Sequence, residues 1–323
     1  LQITIADLPL APQGSAPMKN KPAQYKAVNL AVGSRDSVLP LYLYVLVKPR
    51  IQVDCIATAE VRKHFFQTPT CVSGHLGGET KLIIDRTLSR VEQVFQNIDQ
   101  RSMVGLEIGA LDNPIARPAA GQVFYADYCS TADLRRNHVN TPTVDINSIV
   151  DVDFVTNGGY LRDVVPDSLK FDYVIASHVI EHVPDIISWL QDIGHVLKPG
   201  GILSLIVPNK EHTFDSRRSI SEQKDFFAAN ILRQTKPSPI QVFDYYRWHE
   251  RNGSLVHTLE YSIEMARKSI SDYVDAHCWV FTTETFYDEI QTLIDENLIP
   301  YNLGVVTKTP PGEIDMFAQL VRT

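Results

Sequence analysis

From about residue 86 onward the sequence predicts an α/β fold: a doubly wound, mainly parallel sheet. Three observations predict it. Short apolar runs alternate with stretches of helical periodicity. One of these runs, Val104 to Ile108, leads into Gly109, with Glu107 two positions before the glycine. A second, Val123 to Asp127, ends on an acid about 20 residues beyond the turn, where open α/β folds place ligand-binding carboxylates.

The elements follow in order. Residues 1 to about 35 lack periodicity and read as an irregular arm. Leu39 to Val47 is a continuous apolar run suited to a buried strand. Ile51 to Val61 alternates apolar and polar, the pattern of a half-exposed strand, with Lys48-Pro49-Arg50 as the turn between them. Gly74, Gly77 and Gly78 read as a linker, so residues 1–80 form an arm and a small β-containing unit. Its candidate roles are packing, homo-oligomer contact, partner binding or the end of an upstream fused domain. Residues 86 to 98 carry Leu88, Val91, Val94, Phe95 and Ile98 at helical spacing.

Residues 81–323 make the main domain. After the strands at 104–108 and 123–127 come a third at 150–155, a Thr156-Asn157-Gly158-Gly159 turn, and a fourth at Phe171 to Ala176. Asp185 is placed to cap a helix whose apolar stripe is Ile186, Trp189, Leu190, Ile193, Val196 and Leu197. Pro199-Gly200-Gly201 stops it, and Ile202 to Val207 is a fifth strand. Residues 209–276 are polar and aromatic and break the rhythm, an insertion over the ligand edge. Trp279 to Phe281 is strand-like, Thr283 to Ile294 helical, and Leu303–Thr307 with Met316–Val321 form a closing antiparallel hairpin.

Composition narrows the function. With 44% apolar and 21% charged residues the chain is an ordinary globular one. A net charge of −8 argues against nonspecific nucleic-acid binding. Four scattered cysteines (Cys55, Cys71, Cys129, Cys278) form no Cys-x-x-Cys pair, which fits reduced thiols in the cytoplasm and no zinc site. No apolar run reaches the roughly 20 residues of a membrane span. The chain opens on Leu1, without a basic n-region or a starting methionine, and reads as a fragment or a processed chain.

An acid in the position of Asp127 takes both hydroxyls of a ribose. Dinucleotide sites pair it with three glycines, which let a helix N-terminus hold the pyrophosphate. Here the turn has Gly109 alone, followed by Ala110, Leu111 and Asp112. That suits a ligand carrying ammonium and sulfonium charge better than a pyrophosphate.

Four blocks carry a resemblance: Leu106 to Gly109, Tyr125 to Asp127, Phe171 to Asp185 (FDYVIASHVIEHVPD), and Val196 to Gly201 (VLKPGG). In these the chain resembles the class I S-adenosylmethionine-dependent methyltransferases, in their small-molecule branch. The resemblance spans roughly residues 86 to 323. It departs from the family at the turn, where Leu111 and Asn113 stand in place of later glycines. The resemblance implies a seven-stranded Rossmann-like sheet and S-adenosylmethionine as cofactor. Glu107, Gly109 and Ala110 would flank its methionine end, Asp127 its ribose and Tyr128 its adenine. Asn157 takes the place of the family's acid near the adenine amino group, Gly158 offers backbone, and Ser177 and His178 follow the fourth strand where the methyl group points.

Methyl transfer displaces an already activated sulfonium, so positioning supplies much of the rate. An oxygen nucleophile gains from a base, and His178 is the first candidate; the alternative is that it only shapes the pocket. His182, a helical turn away beside Pro184, reads as structural. In the insertion, His212 and Asp215 are candidates to orient or deprotonate a hydroxyl, and Arg217 or Arg218 to hold an anionic group; the alternative is a solvated loop. Tyr245, Tyr246, Trp248 and His249 suit stacking on a sugar, or simply pack, while His277 and Trp279 return to the sheet and close the same pocket. Asp151-Val152-Asp153 looks like a metal-binding Asp-x-Asp but opens a core strand, so no metal ligand is assigned. The turn and Asn209 to Arg218 are similar to bacterial methyltransferases associated with surface-polysaccharide synthesis. That implies O-methylation of a small-molecule or glycan acceptor at a sugar hydroxyl. The competing reading is a methyltransferase-like scaffold that binds the cofactor without turnover.

Overall fold

The computed structural model describes residues 88–323 in full. Of the preceding part it describes the backbone of five strands: β1 (Tyr25–Ser34), β2 (Ser37–Leu46), β3 (Gln52–Ile56), β4 (Cys71–His75) and β5 (Ile83–Asp85). The chain divides into two compact units at Thr87/Leu88.

In the first unit each strand pairs antiparallel with the next, from Tyr25↔Leu46 to Cys71↔Asp85, as a meander. The expected irregular arm differs here, since its residues 25–34 form β1. The rest of that arm, the Lys48-Pro49-Arg50 turn, residues 57–61 and Gly77-Gly78 lie outside the described residues.

The second unit begins with α1 (Arg90–Val94), capped by Ser89, whose side chain accepts from the Glu92 amide while the Glu92 carboxylate accepts from the Ser89 amide. Its seven strands are β6 (Gly105–Ile108), β7 (Val123–Asp127), β8 (Phe154–Val155), β9 (Phe171–Ser177), β10 (Leu197–Pro208), β13 (Tyr301–Thr307) and β14 (Asp315–Arg322). Their spatial order is β13-β14-β10-β9-β6-β7-β8. Strands β8, β7, β6, β9 and β10 run parallel; β14 is antiparallel to both β10 and β13, the expected closing hairpin. This is the seven-stranded Rossmann-like sheet. Two further short strands, β11 (Glu250–Arg251) and β12 (Ser254–Leu255), pair within the insertion.

Strand β9 is central and covered on both faces: Phe171, Tyr173, Val174, Ile175 and Ala176 are all buried, as a parallel core requires. On one face Val94 and Ile98 pack with Tyr173, Ile175, Ile206 and Phe317. Elsewhere the core includes α4 (Ile186–Val196), which buries Ile186, Ile187, Leu190, Ile193 and Val196; Asp185 caps it by accepting from the Ser188 amide. Gly105 is required by close approach, because a Cβ there would lie 2.1 Å from the Tyr173 ring.

Three expected elements differ in extent. The third strand shrinks to Phe154–Val155 because residues before it bond elsewhere: the Val150 amide donates to the Leu111 carbonyl and the Val152 amide to Thr131 Oγ1. Helix α4 ends at Val196, before Pro199-Gly200-Gly201, which lies within an irregular start of β10, with Gly200 at φ +77°. Trp279 to Phe281 forms only an isolated bridge from Phe281 to Asn209, since the Val280 amide is taken by Ser221 Oγ.

The remaining helices are α2 (Thr131–His138), α3 (Leu161–Val164), α8 (Thr283–Asp295) and, in the insertion, α5 (Gln223–Ile231), α6 (Pro239–Trp248) and α7 (Leu259–Lys268). Among the described residues no helix is long and apolar enough to cross a membrane.

Candidate active site

Strand order reverses between β6 and β9: from β6 the chain steps to β7 and β8 on one side, and from β9 to β10 on the other. A crevice opens at the carboxyl ends of such a pair, where open α/β sheets bind ligands. The residues following those ends are Gly109 and His178.

The β6–β7–β8 side is made chiefly of turns. Gly109, Leu111, Asn157 and Gly158 all have positive φ, from +48° to +77°. Leu111 therefore holds the backbone conformation that the missing glycine would take, at a cost of about 1–3 kcal/mol for a non-glycine residue. Its carbonyl accepts from the Val150 amide, which ties the turn to the approach of β8.

Glu107 does not face an open ligand space. It is buried, and its carboxylate accepts from the amides of Ile115 (2.9 and 3.0 Å) and Ala116 (2.7 Å). It holds the loop that follows Gly109. Burial pushes its pKa up to about 7, against the pull of those two amides.

Asp127 ends β7 with its carboxylate buried and accepting from the Tyr128 amide at 2.7 Å. Burial raises its pKa, opposed by the Tyr128 and Cys129 amides. Its carbonyl accepts from the Thr156 amide, so Asn157 and Gly158, both exposed, stand beside it. Tyr128 is 56% exposed, a free aromatic face next to the acid. The structure thus gathers Gly109, Ala110, Asp127, Tyr128, Asn157 and Gly158 on one edge.

The β9–β10 side is built of charged side chains. His178 Nε2 lies 2.9 Å from Asp315 Oδ1, and Nδ1 lies 3.3 Å from Glu181 Oε1. These are ion-pair distances without hydrogen-bond alignment. Burial works against the charge on the ring, but the two carboxylates outweigh it and raise its pKa to about 9. With a carboxylate at each nitrogen the ring has no unshared nitrogen for an acceptor proton. In this arrangement His178 is held as a charged group between two carboxylates. Arg90 pairs with Asp315 and donates to Ser177 Oγ at 2.9 Å.

The insertion candidates separate. His212 is exposed and lines a cavity. Asp215 is buried between Arg218 Nη1 (2.9 Å) and His277 Nδ1 (2.6 Å), so it orients His277, and it is not among the residues lining that cavity. Arg218 is also buried, donating to Asp215, to Asp244 at 2.7 Å and to the His277 carbonyl at 2.9 Å; none of its charge remains for an anionic substrate. Arg217 pairs with Glu250 and donates to the Gly253 carbonyl.

The aromatic group packs on itself. His249 stacks on Phe214 at 4.4 Å, Tyr245 sits edge-on to Phe214, Tyr246 meets His257 and Tyr261, and Arg247 covers Trp248. It is not an open stacking platform.

The cavity has a volume of about 500 Å³ and lies at the ends of β9 and β10. Its walls include His178, Glu181, His212, Phe214, Glu250 and His277. Sequence reasoning missed Glu181, Phe214 and Glu250 as wall residues. Glu181 stood in the most legible block of the chain but carried no local signal of facing a cavity.

The family model of a methyltransferase domain matches residues 81–291. No curated protein sequence matches the chain. Among solved structures, the chain is similar to an S-adenosylmethionine-dependent methyltransferase from Mesorhizobium loti (11% identity, 69% of this chain and 93% of that one, TM-score 0.37). It is also similar to magnesium protoporphyrin IX methyltransferase from Synechocystis PCC 6803, with S-adenosylhomocysteine bound (11%, 73% and 81%, TM-score 0.36). A SAM-dependent methyltransferase from Aquifex aeolicus gives 13%, 72% and 90%, with TM-score 0.35. At this level of likeness the solved structures carry no functional argument; the family match does. The chain belongs to the methyltransferase domain family, enzymes of the transferase class whose methyl donor is S-adenosylmethionine.

Proposed function

We propose that this methyltransferase transfers the methyl group to a hydroxyl of a small-molecule or glycan acceptor, a sugar being the best fit. The observation that carries the reading is a cavity wall that offers both kinds of surface a sugar needs. Thr213, Ser216, Arg251 and Asn252 supply donors and acceptors for hydroxyls, beside apolar surface from Pro208, Phe214 and Ile314 for the C–H face of a ring. The resemblance to methyltransferases of surface-polysaccharide synthesis points the same way.

The donor groups on the other edge fit S-adenosylmethionine. Asp127 accepts from the ribose hydroxyls, Tyr128 lies against the adenine, and Asn157 and Gly158 meet its edge. The backbone of Gly109 and Ala110 receives the methionine end, on a loop that Glu107 holds. Ser177 and His178 stand between donor and acceptor.

The test is transfer of labelled methyl from S-adenosylmethionine to a panel of sugars and nucleotide sugars, read with S-adenosylhomocysteine release. The expected outcome is labelling of a hydroxylated acceptor with one product molecule released per transfer. Calorimetry showing no binding of either S-adenosylmethionine or its product would overturn the reading. Binding without turnover on any acceptor would favour the scaffold instead.

A further inference from the structure

Glu181 is the most deeply buried acid facing the cavity, with no exposed surface, and neither carboxylate oxygen has an aligned hydrogen-bond partner. Such a charge is strongly unfavourable unless compensated. The His178 ring at 3.3 Å answers part of it. Two other imidazoles stand close by. Glu181, His182 and His277 each offer one ligand atom, and these atoms lie within 4.8 Å of one another.

Both histidines are prepared in the same way. His182 Nδ1 lies 2.9 Å from Asp275 Oδ1, and His277 Nδ1 lies 2.6 Å from Asp215 Oδ2, which Arg218 holds in turn. A carboxylate at Nδ1 keeps the proton there and leaves the Nε2 lone pair free, the arrangement by which proteins orient histidine ligands. The two segments are also clamped together. The Cys278 amide donates to the Glu181 carbonyl at 2.6 Å, and Trp279 Nε1 donates to the Val183 carbonyl at 2.6 Å.

From this geometry we infer a divalent cation site formed by the Glu181 carboxylate and the Nε2 atoms of His182 and His277, open toward the acceptor cavity. It reverses the expectation, from sequence, of no metal ligand. Donors at about 2.1 Å from a shared ion lie no more than about 4.2 Å apart, so small side-chain rotations close the set. Two imidazoles and one carboxylate select a first-row transition ion over calcium, which takes oxygen ligands. Because all three ligands line the cavity, the remaining coordination positions face the acceptor. Resting on the proposed function, the ion's role is to bind the acceptor hydroxyl and lower its pKa. The hydroxyl proton leaves to water, the new O–C bond forms as the S–C bond breaks, and S-adenosylhomocysteine departs.

The test is titration of the chelator-treated full chain with Co²⁺, read by visible d–d absorption, with Zn²⁺ as the competitor. One Co²⁺ per chain is expected, displaced by Zn²⁺. Glu181→Gln and His277→Ala should each weaken binding at least tenfold. Asp275→Asn, whose side chain is exposed, should weaken it by about 10–100-fold, and it serves where the buried variants do not fold by circular dichroism. Absence of Co²⁺ binding by the wild type overturns the inference, and so does unchanged affinity in folded Glu181→Gln or Asp275→Asn. Calorimetry with S-adenosylmethionine keeps the two readings apart. Lost cobalt binding with methyl transfer intact removes the ion alone. Cobalt binding with no transfer on any acceptor removes the hydroxyl reading and leaves the site.

Discussion

The two halves of the carboxyl edge are built by different means. On the β6–β7–β8 side the site is backbone: tight turns, several in left-handed conformation, around one acid at the end of a strand. On the β9–β10 side it is a network of charged and imidazole side chains, several of them buried: Asp315, His178 and Glu181; Asp275 with His182; and His277, Asp215, Arg218 and Asp244, with the His182 and His277 rings in edge contact. A donor of one fixed shape is met by a turn geometry. An acceptor that must be placed and activated calls for groups of defined charge, and these are held by one another.

If that contrast holds, the largest effects of mutation fall on the charged side. Arg218→Ala leaves the buried carboxylate of Asp215 without its guanidinium, and should cost about 3–5 kcal/mol in denaturant unfolding. A loss under about 1 kcal/mol would show the network to be dispensable. On the backbone side the corresponding burden is Glu107, whose pKa burial pushes up to about 7 from the ordinary glutamate value of 4.5. The folded state then binds more protons than the unfolded between those values. Stability from this group is full below about pH 4.5, falls as pH rises, and is lost above about 7, a swing of roughly 3 kcal/mol. Urea melts at pH 5 and 8 should show that swing in wild type and not in Glu107→Gln; equal swings would deny it.

Smaller effects separate binding from folding. Asp127→Ala should weaken S-adenosylmethionine binding by about 1.5–3 kcal/mol in calorimetry, the range for a hydrogen bond to a charged group, with the acceptor network undisturbed. Unchanged affinity would remove Asp127 from the ribose. Least of all, Asp185→Ala should cost about 1 kcal/mol as a lost helix cap. Its carboxylate also accepts from Asn230 of α5, so the loss should exceed that of Asn230→Ala. The reverse order in thermal melts would place the stabilisation in the insertion contact.

The same contrast decides what was legible from sequence. Periodicity and the acid-glycine spacing located β6, β7, β9, α4 and the β13–β14 hairpin because those signals are local. Asp127 was readable for the same reason. The charged side joins Arg90 to Asp315, His178 to Asp315, and Asp215 to His277, pairs that are far apart in the chain. Periodicity says nothing about such pairs. Arg218 and Asp215 thus read as substrate groups when each is neutralised by the other. Leu111 shows the converse limit: its residue type argued against a left-handed turn, and the Val150 amide bonded to its carbonyl supports one.

The two ends of the insertion meet. Asn209 bridges Phe281, the Lys210 amide donates to the Phe281 carbonyl, and the Ser221 amide donates to the Val280 carbonyl. A segment whose ends are stitched side by side is a closed loop hung from the sheet, and closing a loop costs only about 0.6 kcal/mol more for each doubling of its length. The loop-closure term therefore sets little limit on the segment's length; what ties it to this sheet is its packing, through Phe226 against Trp279 and Phe281 and through the buried Asp215–Arg218 pair. Length can then vary where the segment is exposed, while the residues that pack on the sheet must be kept.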